Sequence, residues 1–232
     1  MLIFLDLETT GLEADDRICS IAVILEDDDT VKVEQSLVRP TCKIRPEAMA
    51  VHHITNERVA SAPLFSDSET AALLQQYNST DSVLVGHNIS FDLSMLAKEG
   101  LIWQGGFIDT LRCSRHLIEE TDRFSLQFLR YELGLYRSEQ GPANALGVAL
   151  VAHDALSDAF QVKRLYGYLS TMADDETLMQ LSITPVLIKK FLFGKYRDRY
   201  VEEVATHDPG YLHWLLGQEP DEDLEHTLKH YL

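Results

Sequence analysis

Two acidic side chains interrupt the apolar segment at the start of the chain. Asp6 and Glu8 lie in the sequence Asp6-Leu7-Glu8-Thr9-Thr10-Gly11-Leu12, and alternate residues of a strand point to the same face. Adjacent carboxylates repel each other unless a cation lies between them, and Mg²⁺ and Mn²⁺ prefer such oxygen ligands. The pair therefore predicts a metal site, and a solvent-exposed edge strand is the alternative.

Two further acidic positions and a histidine follow later in the chain. Asp92 comes soon after a predicted strand that ends near Gly86, and ligand sites in α/β sheets gather at the carboxyl ends of strands. Asp158 lies five residues after His153, whose side chain can accept a proton from water near neutral pH. Taken one at a time, helix capping by Asp92 or Asp154, or a surface position, explains each of them better than a metal role does.

Apolar periodicity and turn residues predict the elements that position these groups. Strands are predicted over 2–7, 17–26, 30–38, 82–87 and 107–108, and helices over 69–77, 91–99, 109–119, 124–133 and 154–172. Strands come first and then alternate with helices, which favours an α/β sheet flanked by helices. The segment 136–152 begins as a loop, and 174–176 is a predicted linker. The chain is thus divided into 1–172 and a small module over 173–232.

Composition limits the classes of function. The 232 residues carry a formal net charge of −17, which argues against a broad basic groove because phosphate contacts need Lys and Arg. The acidic runs at 27–29 and 221–223 are interpreted as solvated loops or tails. Cys19, Cys42 and Cys113 lack metal or redox spacing, so we expect reduced thiols in the cytoplasm. The sequence shows no signal-peptide pattern and no apolar stretch long enough to cross a bilayer.

Taken together, the acidic motifs resemble those of the DEDDh exonucleases. D-L-E-T-T-G-L, H-N-I-S-F-D and H-D-A-L-S-D occur in the family's order, and M-A-V-H-H-I-T resembles its V-H-x-I-T segment. The family includes relatives of the DNA polymerase III epsilon subunit, ribonuclease T and exodeoxyribonuclease X, and the resemblance covers about 2–169. It implies a ribonuclease H-like mixed sheet. It also implies a 3′–5′ exonuclease that uses two divalent cations, Mg²⁺ or Mn²⁺, and releases nucleoside 5′-monophosphates.

The resemblance also implies a role for each residue that matches a family motif. The cations would be held by four carboxylates, Asp6, Glu8, Asp92 and Asp158. His153 would be the general base, and its place five residues before Asp158 separates this group from a sister group with a tyrosine nearer that aspartate. Contacts with the terminal nucleotide are implied for Thr9, Thr10, Leu12, His52 and Ile54. His87 and Asn88 are expected to shape a turn, without contacting the metal.

The segment after residue 172 mixes cations with aromatic side chains. Lys195, Arg197 and Arg199 lie among Phe193, Tyr196 and Tyr200, and such a mixture can bind phosphates and stack on bases. The segment resembles the C-terminal module of some exodeoxyribonuclease X-like proteins. One interpretation is a mini-domain whose Tyr200, Tyr211 and Trp214 form its own core. The other is a docking site for nucleic acid or a protein partner.

Substrate and partners remain open at the level of sequence. DNA is favoured over RNA only through the C-terminal resemblance, because a 2′-hydroxyl contact depends on the shape of the pocket. A non-catalytic binding module for nucleic acid or a partner, built on the same fold, is the rival hypothesis, and the complete catalytic set argues against it. A homodimer, or a polymerase or repair partner, is expected only by analogy. No membrane partner is expected, and the negative charge predicts a distributive enzyme.

Overall fold

A mixed sheet lies at the centre of the fold. The computed structural model describes residues 1–27, 30–119, 121 and 123–232, and within them a five-stranded sheet has the order β3-β2-β1-β4-β5. The strands are β1 Leu2–Thr9, β2 Ile18–Glu26, β3 Val31–Leu37, β4 Val83–Gly86 and β5 Gly106–Asp109. Asp28 and Asp29 of the predicted acidic turn lie outside the described residues.

Strand pairing places β1 in the middle of the sheet. β1 pairs antiparallel with β2 and parallel with β4, while β3 and β5 form the edges. The prediction of a mixed α/β sheet is therefore confirmed. The edge-strand alternative is wrong for β1 as a whole, because β2 pairs along its length and β4 pairs with Leu2, Ile3 and Phe4. Asp6 and Glu8 lie just beyond the last residue that pairs with β4.

Helices surround this sheet and continue beyond it. They are α1 Pro46–His52, α2 Asn56–Val59, α3 Glu69–Gln76, α4 Ile89–Lys98, α5 Thr110–Leu117, α6 Leu126–Glu132, α7 Gln140–Leu146, α8 Ala155–Leu169, α9 Asp175–Ile183, α10 Val201–His207, α11 Pro209–Leu216 and α12 Glu222–Tyr231. Single 3₁₀ turns lie at Phe65–Asp67 and Leu135–Ser138. Within the described residues, none of these helices has the length and apolar character needed to span a membrane.

Three short helices were not predicted. α1 and α2 span seven and four residues, which is too few for a helical period to stand out in the sequence. α7 lies in the segment that was predicted to begin as a loop, because Gly141 and Pro142 break most helices. Both residues lie in the first turn of α7, where backbone N–H groups have no helical acceptor and proline is tolerated.

Two apolar cores cover the two faces of the sheet. Ile3, Leu5 and Leu7 of β1 belong to one core, together with residues of α3 and α4. Phe4 belongs to the other, together with Phe160 and further residues of α8. Because side chains alternate along a strand, positions 6 and 8 share the face of Phe4. The two acidic side chains of β1 therefore point to the side that α8 covers.

Helix α9 joins this second core. The predicted linker at 174–176 is wrong, because Asp174 caps α9 and accepts a hydrogen bond from the Thr177 backbone. Leu178 is fully buried with the residues of α5 and α8, and the Ser182 hydroxyl accepts from the Asp109 backbone N–H at 2.7 Å. The division of the chain at residue 172 stays a prediction.

Helices α10 to α12 enclose a third core. Its buried side chains are Phe191, Val201, Val204, Leu212, Leu215, Leu224 and Leu228. Tyr211 packs against them, but Tyr200 and Trp214 are 49% and 55% exposed, so the predicted three-residue aromatic core is wrong for those two. On α11, position 214 lies about 200° around the helix from Leu212 and so faces away from this core.

An ion pair connects the third core to the rest of the protein. The Asp223 carboxylate accepts from Arg112 at 3.0 Å and from the Val186 backbone N–H at 2.9 Å. Both side chains of the pair are mostly buried, and Arg112 also donates to the Thr184 carbonyl oxygen at 2.6 Å. This contact fixes the chain between α9 and α10 against α5.

Asp223→Ala should loosen this connection. The change leaves Arg112 and the Val186 N–H without their acceptor, which should lower the free energy of unfolding by about 1–3 kcal/mol. Urea unfolding measures the loss, and limited proteolysis should show faster cleavage between α9 and α10. Asp81→Ala is the control, since that residue is exposed. Equal stability of the two variants would contradict the assignment.

Candidate functional site

Three carboxylates converge where β1 meets α8. Asp6 and Glu8 extend from the same face of β1, and Asp158 lies in the first turn of α8. Each offers one oxygen, and the three oxygens lie within 4.8 Å of one another. The donors are all carboxylates, which suits a hard cation such as Mg²⁺ or Mn²⁺.

Asp92 approaches the same place from α4. It is 6% exposed and lies in the first turn of the helix that follows β4, the parallel neighbour of β1. Asn88 makes the sharp turn into α4 by adopting a left-handed conformation with φ of 67°, which asparagine tolerates well. Asp92 lies outside the group of three oxygens, but its negative charge raises the pKa of Asp6.

Burial and mutual repulsion make the ionised cluster unfavourable. Desolvation raises the pKa of Asp6 well above its ordinary value, and the charges of Asp92, Asp158 and Glu8 raise it further. Desolvation, followed by the charges of Asp158, Asp154 and Asp92, raises the pKa of Glu8 to about 8. For both groups the largest effects raise the pKa, and the positive charge of a bound cation would lower it. The residues present therefore fit a divalent metal.

Helix capping does not account for the two later aspartates. The cap of α8 is Asp154, which accepts from the Ser157 backbone at 3.2 Å. The residue that begins α4 is Asn88. Asp158 and Asp92 lie one turn further along their helices, where they have no capping role. Asp158 contributes an oxygen to the acidic cluster, and the charge of Asp92 acts on Asp6.

His153 lies at the rim of the cluster. Its backbone N–H donates to Asp158 Oδ2 at 3.1 Å. Burial raises the pKa of the Asp158 carboxyl group, and this hydrogen bond opposes the rise. The side chain is exposed, so it can reach water. The backbone has φ of 58°, a conformation that costs a non-glycine residue on the order of 1 kcal/mol. Such strain is typical of residues held in place for a function.

A cavity of about 590 Å³ opens beside Glu8. Its lining includes Thr9, Leu12 and His52, three of the five residues for which nucleotide contacts were predicted, and Phe91. Leu12 is 84% exposed, so a large apolar side chain is available to contact a ligand. His52 is fixed from within the protein, since its Nε2 lies 3.1 Å from the Thr9 carbonyl oxygen.

The other two predicted contact residues lie behind the cavity wall. The Thr10 side chain is fully buried and donates to Asp16 Oδ1 at 2.7 Å. Ile54 is buried in a small apolar cluster with Cys19 and Val59, and its backbone N–H donates to His52 Nδ1 at 3.0 Å. In this structure both support residues that line the cavity.

Asp16 holds the turn that follows β1, a role that no pattern in the sequence indicates. The carboxylate accepts from the hydroxyl of Thr10, from the Glu13 backbone N–H at 2.7 Å and from Arg45 Nε at 3.3 Å. A side chain at Gly11 would come within 2.5 Å of Asp16, so only glycine fits there. Asp15 and Asp16 read in sequence as ordinary turn residues.

His87 has the turn-shaping contacts that were predicted for it. Its Nδ1 lies 3.0 Å from the Thr110 hydroxyl, and its Nε2 lies 2.8 Å from the Phe124 carbonyl oxygen. Burial lowers its pKa to about 4, so the ring is neutral near pH 7. The contacts tie the end of β4 to α5 and to the segment before α6.

Comparison with known protein families identifies the class of protein. The family described as Exonuclease matches residues 3–166, which is more than half of the chain. The chain belongs to this exonuclease family, and its enzymatic class is that of nucleases that hydrolyse phosphodiester bonds. A second family, described as Exodeoxyribonuclease X-like C-terminal, matches residues 191–219.

Individual relatives show how far the likeness extends. Exodeoxyribonuclease 10 of Escherichia coli is 33% identical over 238 aligned residues, which cover 100% of this chain and 99% of the relative. The solved structure of exonuclease X in complex with 5′-overhanging duplex DNA is 28% identical, with a TM-score of 0.63 over 78% of this chain and 99% of that chain. Escherichia coli exonuclease I in complex with a dA16 oligonucleotide is 19% identical, with a TM-score of 0.55 over 77% of this chain and 42% of that chain, and it shares the fold alone.

The stability of the metal-free protein should depend on pH through Glu8. A carboxyl group with a raised pKa in the folded protein contributes stability below its unfolded pKa of 4.5 and loses it as the pH rises to about 8. The Tm measured in EDTA should therefore fall as the pH rises through this range. Glu8→Gln should flatten the slope, and Mg²⁺ or Mn²⁺ should restore the Tm at high pH.

The exposed Glu132 of α6 provides the matched control. Glu132→Gln should keep the slope of the unchanged protein. A Tm in EDTA that stays level between about pH 5 and about pH 8 would contradict the repulsion described for the cluster.

Proposed function

We propose that the protein is a 3′–5′ exonuclease that removes nucleotides from DNA with two divalent cations, Mg²⁺ or Mn²⁺. The observation that carries the proposal is the convergence of Asp6, Glu8 and Asp158, with Asp92 close by, beside an open cavity. Bound there, the cations would supply positive charge to the scissile phosphate and lower the pKa of the attacking water.

The carboxylates divide into two groups around Asp6. Glu8 and Asp158 share the oxygen cluster with Asp6, while Asp92 acts on Asp6 from the other helix. We therefore propose that Asp6, Glu8, Asp158 and Asp92 would together hold the cations, with Asp6 at the centre of the set. This assignment of the four carboxylates is part of the proposal.

His153 is proposed as the general base. Its exposed ring lies beside Asp158, which is a metal ligand in this proposal. The neutral imidazole can accept the proton of the attacking water and release it to solvent. The terminal nucleotide would occupy the cavity lined by Thr9, Leu12 and His52, with Leu12 contacting the base.

DNA is proposed as the substrate. Support comes from a relative named exodeoxyribonuclease 10 and from an exonuclease X structure that contains duplex DNA. RNA is the alternative, because neither the cavity nor the motifs identify a contact that would read a 2′-hydroxyl group. The rival of a binding module without activity has no support from the structure, since the carboxylates and His153 lie together.

The C-terminal cations lend little support to a nucleic-acid docking site. Lys195 pairs with Asp208 at 3.0 Å and Arg199 pairs with Glu203 at 3.1 Å. Much of the positive charge of this segment is therefore neutralised within the module. Together with the net charge of −17, this favours a small footprint and distributive cleavage.

We also propose a domain boundary, a cellular location and partners. Because α9 packs into the second core, we place the boundary of the C-terminal module after Ile183, in the segment that Asp223 fixes. A cytoplasmic location is consistent with Cys19, Cys42 and Cys113, all of which are free thiols. A homodimer, or a polymerase or repair partner, stays a prediction.

A cleavage assay tests the proposal directly. The 5′-labelled substrates are single-stranded DNA, duplex DNA and RNA of one sequence, each with Mg²⁺ and with Mn²⁺. We expect a ladder that shortens from the 3′ end on DNA and disappears in EDTA. Asp6→Asn should lower the cleavage rate by more than about 100-fold. Loss of a metal ligand should cost more than the roughly 10- to 100-fold that is usual for a residue that only hydrogen-bonds to a ligand.

The control in this assay is Asp67→Asn, a change at an exposed aspartate. Preferred cleavage of RNA would replace the DNA proposal. If the folded wild-type protein cut no substrate with either cation, the binding-module hypothesis would take its place.

His153→Ala should separate proton transfer from substrate binding. Loss of the general base should lower kcat by on the order of 10²- to 10⁴-fold, with little change in KM because the cavity residues are untouched. Steady-state rates on the preferred substrate measure both constants. His213→Ala, on an exposed face of α11, is the control, and a wild-type kcat in His153→Ala would reject the role.

A further inference from the structure

Asp158 has a polar partner on each of its carboxylate oxygens. The backbone N–H of His153 donates to Oδ2, and the Gln127 side chain donates to Oδ1 at 2.7 Å. Gln127 lies on α6, 31 residues earlier in the chain. It belongs to none of the acidic motifs.

The orientation of the Gln127 amide is fixed from behind. Arg130 Nη1 donates to Gln127 Oε1 at 3.0 Å, and an arginine side chain has no acceptor. The amide oxygen must therefore face Arg130, and the NH₂ group must face Asp158. The neutral amide is locked as a donor toward the carboxylate.

Arg130 is in turn held by a buried acid. Its Nε donates to Glu139 Oε2 at 2.9 Å, and its Nη2 donates to Glu139 Oε1. This two-point contact between planar groups fixes the direction of the guanidinium group. Glu139 is only 4% exposed, and it also accepts from Gln161 Nε2 at 3.1 Å.

These hydrogen bonds form a ring that begins and ends on α8. They connect, in order, Asp158, Gln127, Arg130, Glu139 and Gln161, and the backbone of α8 closes the ring. Asp158 and Gln161 lie three residues apart on α8 and therefore share a face of that helix. Gln127 and Arg130 span the α6 side of the ring, and Glu139 joins it where α7 begins. Four side chains outside the acidic motifs thus connect to a single oxygen of Asp158.

We propose that Gln127, oriented by the Arg130–Glu139 ion pair, is a positioning residue that aims the Asp158 carboxylate at the metal. The inference rests on the proposed two-metal function of Asp158. With Oδ1 and Oδ2 each held by a donor, the carboxylate cannot rotate away from Asp6 and Glu8 when the metal is absent. Outer-shell partners of this kind commonly change metal affinity or activity by 10- to 100-fold.

Metal binding to the protein alone tests the proposal without any nuclease assay. The Tm is followed as Mn²⁺ is added, which gives the concentration at half-maximal stabilisation. Gln127→Met removes both polar atoms at similar length, and it should raise this concentration by about 10-fold. Gln140→Met is the control, since Gln140 is exposed and its side chain donates to Asn144 at 2.9 Å.

Arg130→Lys tests the network at a distance from the metal. Lysine keeps the charge opposite Glu139 but lacks the fork that also reaches Gln127, so the Mn²⁺ midpoint should rise by a smaller factor, about threefold. At saturating Mn²⁺, the KM for DNA should stay within about twofold in both variants while kcat falls.

If both variants show the wild-type Mn²⁺ midpoint, the proposal is wrong, and the ring only stabilises the packing of α6 against α8. If Gln127→Met fails to fold, the Arg130→Lys midpoint decides the outcome by itself. A wild-type protein that binds Mn²⁺ but cleaves nothing would reject the proposed function and leave this measurement valid.

Discussion

Repulsion among buried carboxylates is the constraint on which the rest of the structure depends. Asp6 and Glu8 leave one face of the central strand and meet Asp158 from α8. Burial and like charge raise the pKa of both β1 carboxyl groups, so without a cation the folded protein must hold protons there or bear the repulsion. The sheet tolerates this because β1 pairs with β2 along its whole length, pairs with β4 at its start, and is covered by an apolar core on each face.

Positive charge is scarce in the protein as a whole, and several of the basic side chains are paired with acidic side chains of the same chain. The net charge is −17, whereas many proteins hold nucleic acid through an excess of positive charge. Arg112 and Arg130 are committed to Asp223 and Glu139 inside the fold, and Lys195 is paired on the surface of the C-terminal module. A metal-loaded acidic cluster can attract a phosphate where the side chains cannot. The acidic composition and the nuclease class are therefore compatible.

The sequence predicted those parts of the structure that depend on local pattern. Alternation along β1 placed Asp6 and Glu8 on one face, and the five strands and the long helix α8 follow from apolar periodicity. What the sequence could not supply was packing between distant segments. The edge-strand alternative could be excluded only once the pairing of β1 with β4 was known. The exposure of Tyr200 and Trp214 could be predicted only from the direction in which α10 and α11 pack. Helices as short as α2 leave too few residues for a period.

The same distinction separates the residues proposed to perform the chemistry from the residues that hold them. A strand carboxylate such as Asp6 takes its position from backbone register, because the pairing of Asp6 with Ala22 fixes the direction of the side chain. A helix carboxylate such as Asp158 has no such register, and its direction is set by the His153 backbone N–H and by the Gln127 side chain on α6. Reactive groups recur in compact motifs because the chemistry demands their types, whereas supporting groups need only reach the right oxygen. Asp16 and Gln127 are therefore visible in the structure and not in the sequence.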